Sequence, residues 1–306
     1  MSIFPAKSPK CQTTDCPQDV DLILIPRSVD LGGFQVSRVL PSKERRMVGP
    51  FVFWDQFGRS EFLTGQGIDV RPHPHIGLAT LTYLFNGSIV HRDNLGSHQL
   101  ITPGDVNLMV AGHGIAHSER TGMEERQHPH TLFGLQIWLG LPGDKQEMAP
   151  SFTHYPRDTL GLIDAEGVSL RVVAGHFQGI QSVVATVADA LLVDVELQPG
   201  ATISYPAITE ERAIHIVTGQ VSIGHDTYDT AHMLILKPGH PVTISAKTAA
   251  HIILLGGATL DGPRYLWWNF VSTSQERIEQ AKQDWVNGRF KKIPGDDQEF
   301  IPLPDN

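Results

Sequence analysis

Short apolar runs of four to eight residues, rich in Val, Ile, Leu and Thr, recur along this chain and are repeatedly cut off by glycine or proline. Runs that brief suit strands better than helices, and 29 glycines and 21 prolines supply the tight turns between them. Leu31-Gly32-Gly33, Asn86-Gly87, Pro103-Gly104-Asp105 and Pro142-Gly143-Asp144 are such turns. The spacing predicts a mainly β protein built as barrels or sandwiches.

A length of 306 residues exceeds what one core usually holds, so two globular units are expected. Residues 1–20 show no apolar period and read as a flexible N-terminal arm. The first unit is expected over 21–150. A polar, irregular stretch from Pro150 to Asp164 separates it from a second unit over 165–270, where LLVDVELQPG, AIHIVTGQVSIG, HMLILKPG and HIILLGG repeat the strand-then-glycine pattern. Residues 271–306 should form one long helix and a tail. Thr273 and Glu276 have capping-box spacing, Ile278, Ala281 and Trp285 share a face, and Gly288 is a natural stop. The closing EFIPLP suits an extended segment docked on a surface.

Charge and cysteine content remove several functional classes. The 24 basic residues stand against 33 acidic ones, a net −9, with no Lys/Arg stripe to track phosphates, so direct nucleic-acid binding is not expected. Cys11 and Cys16, the two cysteines, cannot complete a structural zinc site and read as reduced, exposed thiols. The opening lacks the apolar core of a secretory signal, and no run nears the roughly 20 apolar residues of a membrane helix, so a cytoplasmic protein with no membrane contact is expected.

His73-Pro74-His75 places two imidazoles at i and i+2, on one face of a strand, where they can share an ion. His117-Ser118-Glu119, 42 residues after His75, repeats the arrangement with a carboxylate. Imidazole and carboxylate without thiolate suit an open Fe(II), Ni(II), Cu(II), Mn(II) or Zn(II) site. His128-Pro129-His130 repeats the pair without the flanking glycine or a partner motif. His113, in a glycine-flanked turn, reads either as a proton carrier behind the ligands or as an exposed loop histidine. Phe51, Phe53, Trp54, Asp55 and Phe57 read mostly as core, with one or two rings lining a pocket, and Gln136 and Trp138 share a face.

Gly67-x5-His73-x-His75, followed by Thr80 and Gly87, resembles the first cupin motif with threonine where its glutamate ligand usually stands. Gly104-x5-Val110-Ala111-Gly112 leading to His117 resembles the second, with the histidine two residues late. Both departures are similar to those of the pirin family, as are GPFVFWDQFG (49–58), RPHPHIG (71–77), TPGDVNLMVAGHGIAHSE (102–119), LQIWLGLP (135–142) and WWNFVSTSQERIEQAKQDWVNGRF (267–290). The resemblance implies two stacked cupin barrels, a bicupin, with one divalent metal in the N-terminal barrel held by His73, His75, His117 and Glu119. Fe(II) is the expected ion, with Ni, Cu, Mn or Zn as alternatives. The second half has no His-x-His, and His215, His225, His232, His240 and His251 lack ligand spacing. Two activities are implied: a monomeric quercetin 2,3-dioxygenase-type enzyme with Glu119 as catalytic base, acting on a flavonol-like aromatic and dioxygen, or a metal-dependent regulator that binds a transcription factor or metabolic enzyme.

Overall fold

The computed structural model describes residues 19–31 and 34–304; Cys11, Cys16 and nearly all of the expected arm lie outside them. The short runs pair as antiparallel strands in two similar sets. In the first, a seven-stranded sheet runs in the order Ser151–Tyr155, Val106–Val110, Leu78–Asn86, His130–Gly140, Phe51–Phe62, Gln35–Leu40 and Arg27–Asp30. Its companion is a four-stranded sheet, Asp69–His75, Ile115–Arg120, Ile89–Asp93 and His98–Ile101. The second set repeats the seven-plus-four arrangement, with Ala190–Leu197, Glu211–Thr218 and Ala250–Gly257 central in the larger sheet.

Strand alternation sends successive side chains into different cores. Leu81, Leu135 and Ile137 of the first large sheet meet Leu192, Ala213 and Leu255 of the second in one cluster that joins the barrels. Val193, Ile214, Ile216 and Leu254, from the same strands of the second sheet, fill that barrel's own interior with Val221, Ile244 and other apolar groups. Among the described residues the second barrel thus holds hydrocarbon where a ligand set would have to stand. In the first barrel the interior also carries Thr80, Thr82, His73, His75, His117 and Glu119, all buried.

Three details depart from the sequence-based reading. Val20–Leu24 pairs with Met233–Leu236 at the edge of the second large sheet, although it precedes the first barrel in sequence. Leu162–Ala165 joins the same sheet, whereas Ser151–Tyr155 belongs to the first. A five-residue apolar run carries no address for its partner, because sheet membership is decided by tertiary packing. The helix spans Gln275–Val286 and is capped by Ser274, whose side chain accepts from the Arg277 N–H at 3.2 Å. Thr273 instead accepts from Gln146 Nε2 at 3.1 Å.

Ile278 and Ala281 pack with Ile76 and Phe270. The helix therefore sits against the first barrel, as does the hairpin Tyr265–Trp267/Phe270–Ser272 that precedes it, through Val271 N–H to Ile76 O at 3.2 Å. Among the described residues no helix is long and apolar enough to cross a membrane.

Candidate metal centre

Antiparallel register brings the two motifs together. His117 lies directly opposite His73, Ile115 opposite His75, and a bulge follows before Glu119, which pairs with Val70. His73, His75 and His117 are buried, and a ligand atom from each lies within 4.8 Å of the others. Glu119 lines the same cavity but is not part of that close group; its Oε1 faces the Thr82 hydroxyl at 3.3 Å.

The hydrogen bonds on the far side of each ring set its tautomer. His73 Nδ1 donates to the Arg71 carbonyl at 2.9 Å, and His75 Nδ1 donates to the Asn269 carbonyl at 3.1 Å. Both rings are left with an Nε2 lone pair. His117 Nδ1 stands 3.4 Å from His91 Nδ1, and His91 Nε2 stands 3.1 Å from Asp93 Oδ2. Ionised Asp93 can only accept, so His91 carries its proton on Nε2 and presents a bare Nδ1 to the His117 N–H. Its Nε2 is freed in the same way.

Two such lone pairs, His75 Nε2 and His117 Nε2, face each other at 3.1 Å. Without a cation between them they repel. Neighbouring ligands each about 2.1 Å from one ion at right angles stand about 3 Å apart, so the donors fit a small divalent transition ion. Imidazole with an adjacent carboxylate does not choose among Fe, Ni, Cu, Mn and Zn.

Burial makes this a site for neutral ligands. Desolvation lowers His73 to about 4 and carries His75 and His117 well below the ordinary histidine value, so all three are ready for metal at neutral pH. Burial pushes the Glu119 carboxyl up, offset only in part by the Thr82 hydrogen bond. For Asp93 the burial effect is outweighed by hydrogen bonds from His91 and Ser97, and its carboxyl falls below the usual range.

The histidines give the metal-free protein a defined acid response. His73 is held near 4 when folded and titrates near 6.5 when unfolded, so the unfolded chain binds the extra proton first. Stability from His73 is complete above about pH 6.5, declines below it and is lost by about pH 4, on the order of 3 kcal/mol in all. Urea titrations of metal-free protein should show a shallower decline in His73→Gln than in wild type; equal slopes would refute the assignment.

Motif spacing does not mark the His91–Asp93 pair, since His91-Arg92-Asp93 lacks flanking motif glycines; its i, i+2 alternation on a strand is the signal the sequence carries. Asp93→Asn unlocks the His91 tautomer and should weaken metal binding about 10- to 100-fold in a chelator competition. An unchanged affinity would show that the pair does not orient His117.

Other expectations resolve by position. His113 is exposed, and its carbonyl accepts from Arg277 at 2.6 Å, which matches the loop reading. His130 stacks on Phe62 and its Nδ1 donates to the His128 carbonyl at 3.0 Å; the pair joins no ligand cluster among the described residues. His251 bonds Asp194, and His215 Nε2 lies 2.8 Å from Gln56 Oε1, both structural contacts between or within barrels. Phe51 and Trp54 enter the inter-barrel core, whereas Phe53, Asp55, Phe57, Gln136 and Trp138 face the metal cavity. That cavity has a volume of about 450 Å³.

Comparison with known proteins agrees with this architecture. Residues 33–139 match the pirin family and residues 192–291 match the pirin C-terminal cupin domain. A pirin-like protein of Caulobacter vibrioides is 46% identical, the match covering 94% of this chain and 100% of that protein. Homo sapiens pirin is 31% identical over 88% of this chain and 93% of its own length. The crystal structure of a quercetin 2,3-dioxygenase from Acinetobacter baumannii superposes with a TM-score of 0.86 at 33% identity, covering 93% of this chain and 95% of that one. With two matched cupin domains and relatives aligned along almost its whole length, this chain belongs to the pirin family.

Proposed function

We propose that this protein is a metal-dependent dioxygenase of the quercetin 2,3-dioxygenase type, opening the heterocycle of a flavonol or similar aromatic enol. The observation that carries the reading is the cluster of three bare imidazole nitrogens, of which those of His73 and His75 stand with the buried Glu119 carboxylate along an aromatic-lined cavity. Its volume of about 450 Å³ lies within the range of small-molecule sites.

His73, His75 and His117 would hold the ion, with Glu119 beside them. When bound, the metal supplies Lewis-acid polarisation of a substrate oxygen and an open position for dioxygen. The remaining work falls to the chain. Phe53 and Trp138, stacked with centroids 3.9 Å apart, offer a rigid aromatic wall for a planar substrate. Arg38, which lines the cavity with them, is tied to Asp55 by two bonds of 2.7 and 2.8 Å and lies over the Phe53 ring, which holds that ring in place.

Glu119 takes the substrate hydroxyl proton. Its burial favours the protonated form it then reaches, and Thr82 accommodates both states. Thr82 has one hydroxyl proton and two acceptors in reach, Glu119 Oε1 at 3.3 Å and Gln136 Oε1 at 3.0 Å. Against ionised Glu119 the hydroxyl donates to the carboxylate. Once Glu119 is protonated it donates to Thr82, and Thr82 turns to Gln136.

Protein stripped of metal and reloaded separately with Fe(II), Ni(II), Cu(II), Mn(II) or Zn(II) should consume oxygen and release carbon monoxide with quercetin for at least one redox-active ion. Absence of uptake with all five would sink the proposal.

A further inference from the structure

Part of the metal cavity is built by residues that lie beyond both barrels in sequence. Trp268 and Ile301 line it beside His73 and His75, and both are half-buried, nearer to solvent than the buried histidines. Ile301 is fixed through both peptide groups. Its N–H donates to the Pro72 carbonyl at 2.8 Å, and its own carbonyl accepts from Trp285 Nε1 at 3.0 Å. Pro72 precedes His73 on Asp69–His75, an edge strand whose free carbonyls can take such a partner.

The stretch leading to Ile301 is clamped by the strand that carries Glu119. Arg120 Nε and one terminal nitrogen donate to the two Asp296 oxygens at 2.7 and 2.8 Å, and that nitrogen also reaches Glu299 at 3.0 Å. Alternation turns Glu119 into the cavity and Arg120 out to the tail.

Trp268 opens the two-residue turn between Tyr265–Trp267 and Phe270–Ser272 with φ +51°. Such a position ordinarily goes to Gly, Asn or Asp, and a bulky side chain there is strained. The fold tolerates that strain where the indole lines the cavity wall.

We infer that Trp268 and Ile301 are specificity-determining residues: the turn and the clamped tail form a strap over the opening that limits the size of aromatic ligand reaching the three histidines. The inference rests on reading this cavity as the substrate site, yet size selection can be measured without turnover.

Protein loaded with Co(II) is mixed with acetohydroxamate or 2-naphthohydroxamate, which share a metal-binding group and differ in bulk, and the visible spectrum follows binding. Trp268→Gly and Ile301→Gly should speed naphthohydroxamate entry about tenfold, and Ile301→Trp should slow it about tenfold, with acetohydroxamate within about twofold throughout. Equal shifts for both probes, or none for either, would overturn the inference. Loss of cobalt from the glycine variants would overturn it as well, by making the strap a scaffold for the ligands. Lack of oxygen uptake with quercetin, by contrast, bears on the dioxygenase reading alone.

Discussion

Glu119→Gln is expected to lower oxygen consumption with quercetin about a thousandfold while the protein keeps its metal. Glutamine has the shape of the buried carboxylate, and its carbonyl can still accept from Thr82 as Glu119 Oε1 does at 3.3 Å. The three imidazoles, oriented by Arg71, Asn269 and His91, do not depend on it. What disappears is a group that can take a proton in the cavity. Elemental analysis and an oxygen electrode on the same preparation separate the two effects; full turnover by the variant would assign the base elsewhere.

Gly77→Ala is expected to cost about 4 kcal/mol or more and to loosen the metal as well. Gly77 has φ +67°, and a Cβ there would sit 1.9 Å from the Val271 carbonyl oxygen. Backbone on one side and hairpin on the other leave no flexible atom to give way. The hairpin would have to lift, taking with it Val271 N–H to Ile76 O and the Asn269 carbonyl that sets the His75 tautomer. Gly65→Ala is the control, because φ is +86° there with nothing within 4 Å, so only the left-handed backbone penalty of about 1–2 kcal/mol applies. Similar urea midpoints for the two variants would show that close approach at Gly77 does not matter.

The ligand histidines are legible in the sequence because a strand repeats every two residues. His73 and His75 share a face of one strand and His117 and Glu119 a face of another, and the resemblance of the surrounding glycine spacing to the cupin motifs implies that the two pairs meet. What surrounds them is harder to read. Asn269 contributes a main-chain carbonyl, which every residue type possesses, so no side-chain signature marks it. His91 and Asp93 depend on the register that sets Asp93 opposite His117, a tertiary fact. The helix cap missed by one position because Thr273, Ser274 and Glu276 offer overlapping capping patterns, and backbone geometry chose Ser274. Val20–Leu24 shows the same limit at the scale of a whole strand.

The ends of the described chain are crossed. Val20–Leu24 closes the edge of the distant second sheet, while the segment after that sheet returns to brace the histidine-bearing strands of the first. Each half is therefore buckled by the other's terminus. Cutting the protein between its barrels would not yield a working metal half and a spare one: the first piece would lose the carbonyl behind His75, and the second would gain an open sheet edge prone to self-association.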